Sequence, residues 1–101
     1  MKIIVVTPRS DAQTSLKSAL KQTERNLRGG RTTLYRQKEG RLKHEKYRGW
    51  IDYDIAPGGI LVATVKSRVP EMEWQLLESF VGYMTRHLRH LIESVHITYR
   101  D

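Results

Sequence analysis

Two pairs of side chains have the type and spacing to do chemistry. Asp52 and Asp54 stand two apart in a run that reads as a strand, so both carboxylates face one side, as metal-binding acids do. Divalent cations of that kind take roughly six or more oxygen ligands, and no third ligand is suggested nearby. Two exposed acids near Lys46, Lys66 or Arg68 is therefore the simpler reading. His87 and His90 are three apart on a predicted helix, with His44 and His96 elsewhere. The H-E-x-x-H spacing is absent and the chain has no cysteine, so a flanking or RNA-facing histidine pair is preferred to a zinc site. There is no Walker loop, dinucleotide fingerprint or nucleophile elbow, and the Gly29-Gly30 and Gly58-Gly59 pairs read as turns. Nothing here points to an enzyme, a metal or a cofactor.

Charge offers more. The chain carries a formal +7, and its placement is uneven. Residues 17–48 hold eleven Lys/Arg against three Glu, a net +8, while the remainder holds seven against eight, a net −1. A concentrated basic block favours a polyanionic partner over mere solvation. Lys17, Lys21, Arg25 and Arg28 recur at helical spacing within it, with Arg31 just beyond. Trp50, Tyr35, Tyr47 and Tyr53 lie among the basic residues, and aromatics in a basic sheet can stack on bases. Ordinary packing is the simpler reading for Tyr53.

These residues need a scaffold, and 101 residues make one domain. A hydrophobic fraction of 39% argues against disorder. Residues 2–7 read as a strand buried on both faces, hence central or parallel. Pro8 ends it, and Ser10 or Asp11 caps a helix over 11–28, with Ala12, Leu16, Ala19, Leu20, Thr23 and Leu27 on one side. Gly29-Gly30 stops that helix. A meander follows: a strand at 32–37, a turn at Glu39-Gly40, a long strand over 42–56, a turn at Pro57-Gly58-Gly59, and a return strand from Ile60 to Val65. Pro70 opens a second helix running to about Glu93, with Leu77, Phe80, Val81, Met84, Leu88, Leu91, Ile92 and Val95 as its apolar stripe. The grouping of Trp74, Phe80 and Met84 reads as core. Residues 96–100 alternate enough for a short last strand. The expectation is α+β, in the order β-α-β-β-β-α with a further C-terminal strand, both helices on one face of a mixed sheet. The apolar start is too short for a signal-peptide core and no run approaches a membrane span, so a soluble, cytoplasmic protein with no membrane partner is expected.

The pattern resembles a known family, the ribosome hibernation-promoting and ribosome-associated inhibitor proteins, also called sigma-54 modulation proteins. Four pieces carry the likeness, over about residues 2–92. A strand leads into Thr7-Pro8-Arg9, with Thr14 and Leu16 following, and the spacing from Leu16 to the glycine turn is similar. Ala56-Pro57-Gly58-Gly59-Ile60-Leu61-Val62-Ala63 resembles the family's Pro-Gly-Gly hairpin, and Arg86, His87, Arg89 and His90 stand late in the closing helix. Pro8 replaces the family's glycine, and a tail at 95–101 is extra. The resemblance implies a fold like a double-stranded-RNA-binding domain, binding to ribosomal RNA of the small subunit, and inhibition of translation under stress. Arg9 matches the family's motif directly; Lys17, Lys21, Arg25, Arg28, Arg86 and Arg89 match as exposed basic helix positions, and Arg31 joins them as a candidate. The alternative is a protein-interaction or homodimer module without specific RNA binding, motivated by the extra strand's free edge and the apolar second helix.

Overall fold

The structure, a computed structural model, describes residues 1–27 and 34–100, and the backbone alone for residues 24–27. The chain is α+β: six strands form one open sheet and two helices cover one of its faces. The elements are β1 (Lys2–Pro8), α1 (Leu16–Leu27), β2 (Leu34–Lys38), β3 (Arg41–His44), β4 (Trp50–Ala56), β5 (Ile60–Lys66), α2 (Pro70–Leu88), a single 3-10 turn (Arg89–Leu91) and β6 (Ile92–Tyr99). The strand order is β2-β3-β4-β5-β1-β6. Every pairing is antiparallel, where a mixed sheet was expected.

β1 is an interior strand, one from the edge and paired on both sides, but it is not buried on both faces. Ile4 and Val6 are sealed under the helices, while Ile3 and Val5 point to the open face and are half-buried. An antiparallel sheet needs no helical cover on its second face. Alternation continues across the register: Leu61, Ala63 and Val65 on β5 and Ile51 on β4 join Ile4 and Val6 in a single core. Helix α1 adds Leu16, Ala19 and Leu20; α2 adds Leu76, Leu77, Phe80, Met84 and Leu88. The helices meet where the Tyr83 hydroxyl donates to Thr23 Oγ1 at 2.6 Å.

Several boundaries differ from the sequence expectation. Helix α1 starts at Leu16, not near residue 11, because Ser15 rather than Ser10 or Asp11 caps it: the Ser15 hydroxyl accepts from the Ser18 N–H at 3.1 Å. The stretch before it turns the chain off β1, with the Ala12 N–H on the Arg9 carbonyl. The Gly29-Gly30 stop lies outside the described residues. The expected strand over 42–56 is two strands. Between them Gly49 takes a φ of +128°, and the Lys46 N–H donates to His44 Nδ1 at 2.9 Å. Burial lowers the His44 pKa, which keeps its ring neutral and able to accept that bond. The Pro57-Gly58-Gly59 turn is as expected: Pro57 precedes Gly58 at φ +86°, the positive value that a type II turn requires, and the Gly59 N–H closes on the Ala56 carbonyl.

Helix α2 opens at Pro70 but ends at Leu88, five residues short of Glu93. The β-branched alternation of Ile92 to Thr98 pairs with β1 instead, and the Arg9 N–H donates to the Leu91 carbonyl at the switch. Val95, expected in the helical stripe, is consequently on β6 and exposed. Trp74, expected in the core, is 45% exposed; it stacks on Tyr99 with centroids 5.0 Å apart, and Lys2 Nζ lies 4.7 Å from its ring centre. Lys2 itself is buried and donates to Glu73 Oε1 at 2.7 Å. Among the described residues no helix is long and apolar enough to cross a membrane.

Candidate nucleic-acid interface

The basic block at 17–48 is contiguous in sequence but divided in space. Lys17 and Lys21 are exposed on the flank of α1, beside the buried Leu16 and Leu20. Side chains alternate along a strand, so β2 and β3 divide their cations between the two faces. Arg36 lies opposite the buried Leu42 and shares the helix side, whereas Lys38, Arg41 and Lys43 take the open side.

On the helix side, Lys17, Lys21 and Arg36 border an open groove of about 360 Å³ between α1 and the sheet. Glu39 and Asp54 line its other rim, and Tyr53 forms part of its wall. Strand alternation places Asp54 on the open face of the sheet, so it meets this groove only at its edge. Arg25 belongs to the same helix by backbone; Arg28 and Arg31 lie outside the described residues. Arg36 was not among the sequence candidates. Only the register with Leu42 assigns it a face, and no local pattern in the sequence carries that register.

Arg9, Arg86 and Arg89 form a second group, at the carboxyl end of α2. The Arg9 backbone N–H reaches the Leu91 carbonyl at 2.8 Å, and its Nε donates to the Ile92 carbonyl at 3.2 Å. These bonds hold Arg9 against the 3-10 turn that carries Arg89. Arg86 and His87 sit in the last turn of α2, where cations oppose the negative end of the helix dipole. His87 packs on Tyr83, with ring centroids 5.0 Å apart, and His90 is exposed on the 3-10 turn.

The paired acids separate in role. Asp52 accepts two bonds from Arg41, from Nε at 2.6 Å and from Nη2 at 3.0 Å. The hydrogen bond from Arg41 holds the Asp52 carboxyl below its ordinary pKa, so it stays ionised. The bonded partner is thus Arg41, which was not anticipated; Lys66, which was, and Lys38 add to its effect through space. Asp54 accepts from the Ile55 N–H at 2.8 Å. Among the described residues no cluster of three or more His, Cys, Asp or Glu is placed to hold a metal ion. Of the aromatics, Tyr47 packs on His44 and Tyr53 faces the groove, which leaves Tyr35 and Trp50 on the open side.

Comparison with known proteins adds no constraint: no family model, curated protein or solved structure matches this chain.

Proposed function

We propose that this protein binds folded RNA through its helix side and that the RNA is that of the small ribosomal subunit, where its presence inhibits translation under stress. The observation that supports the reading best is the convergence of Lys17, Lys21 and Arg36 on one open groove. Cations on a rigid rim bind phosphates irrespective of base, and folded RNA is read largely by shape. The choice of ribosomal RNA rests on the resemblance of the Thr7-Pro8-Arg9 and Pro57-Gly58-Gly59 segments to the hibernation proteins.

The test is co-sedimentation with small subunits across a salt series. Wild-type protein should saturate near one copy at low salt and dissociate steeply as salt rises, because each neutralised phosphate releases a counterion. Lys17→Glu with Lys21→Glu should weaken binding at every salt concentration and lower the log–log salt slope by about two. Pelleting by the folded variant that matches wild type overturns the site. Failure of wild type to pellet at low salt overturns the ribosomal reading.

A second reading, a homodimer, has its own observation. Arg100 exchanges both backbone bonds with Met1. Alternation along β6 then turns the N–H and C=O groups of Val95, Ile97 and Tyr99 outward, beside the exposed side chains of Val95, Tyr99 and Trp74. Sedimentation velocity should then show a concentration-dependent mass that Val95→Lys abolishes. A monomer at all concentrations rejects the dimer.

A further inference from the structure

We propose that the open face of the sheet carries a second and separate site, one that takes single-stranded nucleic acid across β2, β3, β4 and β5. The register builds it. Tyr35 stands opposite Lys43, and Trp50 stands opposite Lys66. The β3–β4 pairing runs through Arg41–Asp52 and Leu42–Ile51, and Lys43 and Trp50 are the next residues beyond it on the two strands, which brings the two pairs into line. The four side chains make a single row across four neighbouring strands, in the order aromatic, cation, aromatic, cation. Neighbouring strands lie about 4.8 Å apart, so the two aromatics sit about 10 Å apart with a cation between them. That alternation suits a chain in which flat bases alternate with charged phosphates.

The row is accessible at its ends: Tyr35 is 39% exposed and Lys66 is exposed, while Lys43 and Trp50 are half-buried. The next row strengthens it. Asp52 clamps the Arg41 guanidinium, whose carbon lies 5.1 Å from the Trp50 ring centre. The clamp absorbs the one acid nearest the row and fixes a flat cationic surface over the indole, on which a base can stack. Lys38, Arg41, Lys43 and Lys66 against Asp52 and Asp54 leave this face with a surplus of two positive charges.

Trp50 supplies an independent observation. Its Nε1 is buried and has no hydrogen-bond partner. A buried donor without an acceptor destabilises a fold, and phenylalanine would fill the place without one. What the indole offers in return is the largest π-face among the side chains, which favours both the Arg41 cation and a stacked base. A duplex does not fit this face, since its bases are already stacked and paired; an unpaired strand does.

The site is tested by fluorescence in a Trp74→Phe background, where Trp50 is the sole indole. A ten-nucleotide oligouridylate should quench that emission saturably. Tyr35→Ala should weaken the affinity roughly 5- to 150-fold, the range for losing one stacked base. Lys43→Ala with Lys66→Ala should lower the salt slope by about two. Lys17→Glu with Lys21→Glu, which addresses the helix-side groove, should leave the quench in place while ribosome pelleting fails. Absence of quenching overturns the proposal, as does equal quenching by polyglutamate, which would mark the face as one for acidic peptides. A quench undiminished in the Tyr35 and Lys43/Lys66 variants, or lost in the Lys17/Lys21 variant, overturns it as well.

Discussion

Gly49→Ala should cost the protein about 3–5 kcal/mol, a large part of the roughly 5–15 kcal/mol that holds a domain of this kind together. Two effects add. Gly49 has a φ of +128°, a conformation in which any side chain is strained. A Cβ placed there would also overlap the Lys66 carbonyl oxygen and stand 2.7 Å from Leu76 Cδ1 and 3.0 Å from Ser67 Cβ. None of these neighbours has room to withdraw. The Lys66 backbone belongs to β5, Leu76 is fully buried, and the Ser67 hydroxyl donates to the Arg48 carbonyl at 2.6 Å. Gly58→Ala is the matched control. It too has a positive φ, but a Cβ there meets nothing within 4 Å, so about 1 kcal/mol of conformational cost is expected. Urea denaturation of the two variants measures the difference directly. Equal losses would mean that close packing around Gly49 contributes nothing.

Glu73→Gln should destabilise by about 3 kcal/mol, the scale for leaving a buried charge without its counterion. Glu73 Oε1 lies 2.7 Å from Lys2 Nζ and 3.0 Å from the Met1 ammonium, and both the Lys2 and Glu73 side chains are nearly sealed from solvent. Burial alone would raise the carboxyl's pKa. The hydrogen bonds from Lys2 and from the terminal ammonium together outweigh it and leave the group below its ordinary value of 4.5. A carboxyl depressed in the folded state contributes its full stability above the unfolded value and loses it as pH falls through the folded one. Thermal midpoints should therefore drop as pH goes below about 4.5, more steeply in wild type than in Lys2→Met with Glu73→Leu. That double variant should match or exceed wild type at neutral pH, because an apolar pair of similar volume avoids the desolvation of two ions. A Glu73→Gln variant as stable as wild type would show that the pair has no net role.

Local signals in the sequence were sufficient for much of this architecture. The β-branched run at Ile3–Val6, the proline at the start of α2 and the Pro57-Gly58-Gly59 turn each act within a few residues, and each is realised. Where the outcome depends on distant partners, local pattern fails. Ile92 and Val95 fit a helical stripe as well as a strand, and the free edge of β1 decides between them. Residues 42–56 read as one long strand, with clear alternation in the second half, but Gly49 must pass close beneath the Lys66 carbonyl, and the strand breaks there. The candidate sites follow the same rule. Lys17 and Lys21 are legible because helical spacing marks a face without reference to any partner. Arg36, Lys43 and Lys66 acquire their faces only from cross-strand register, and the basic block reads as one surface until the sheet divides it into two.

The place of β1 in the sheet has a consequence in time. Ile4 pairs with Ala63 on one side and with Ile97 on the other, so the earliest strand of this sheet is flanked by its two latest. Loops that long must close before these contacts stabilise anything, which slows folding relative to helical domains of equal length. At a synthesis rate of about 5–20 residues per second, the Ile3–Val6 run emerges several seconds before its second partner exists. Until β5 follows, it is an apolar, β-branched segment with both edges open, and one edge stays open until β6 is made; such a segment is prone to pair with a neighbouring chain. Lys2 and Arg9 bracket it with charge. Their repulsion between nascent copies protects the strand before the fold exists to do so.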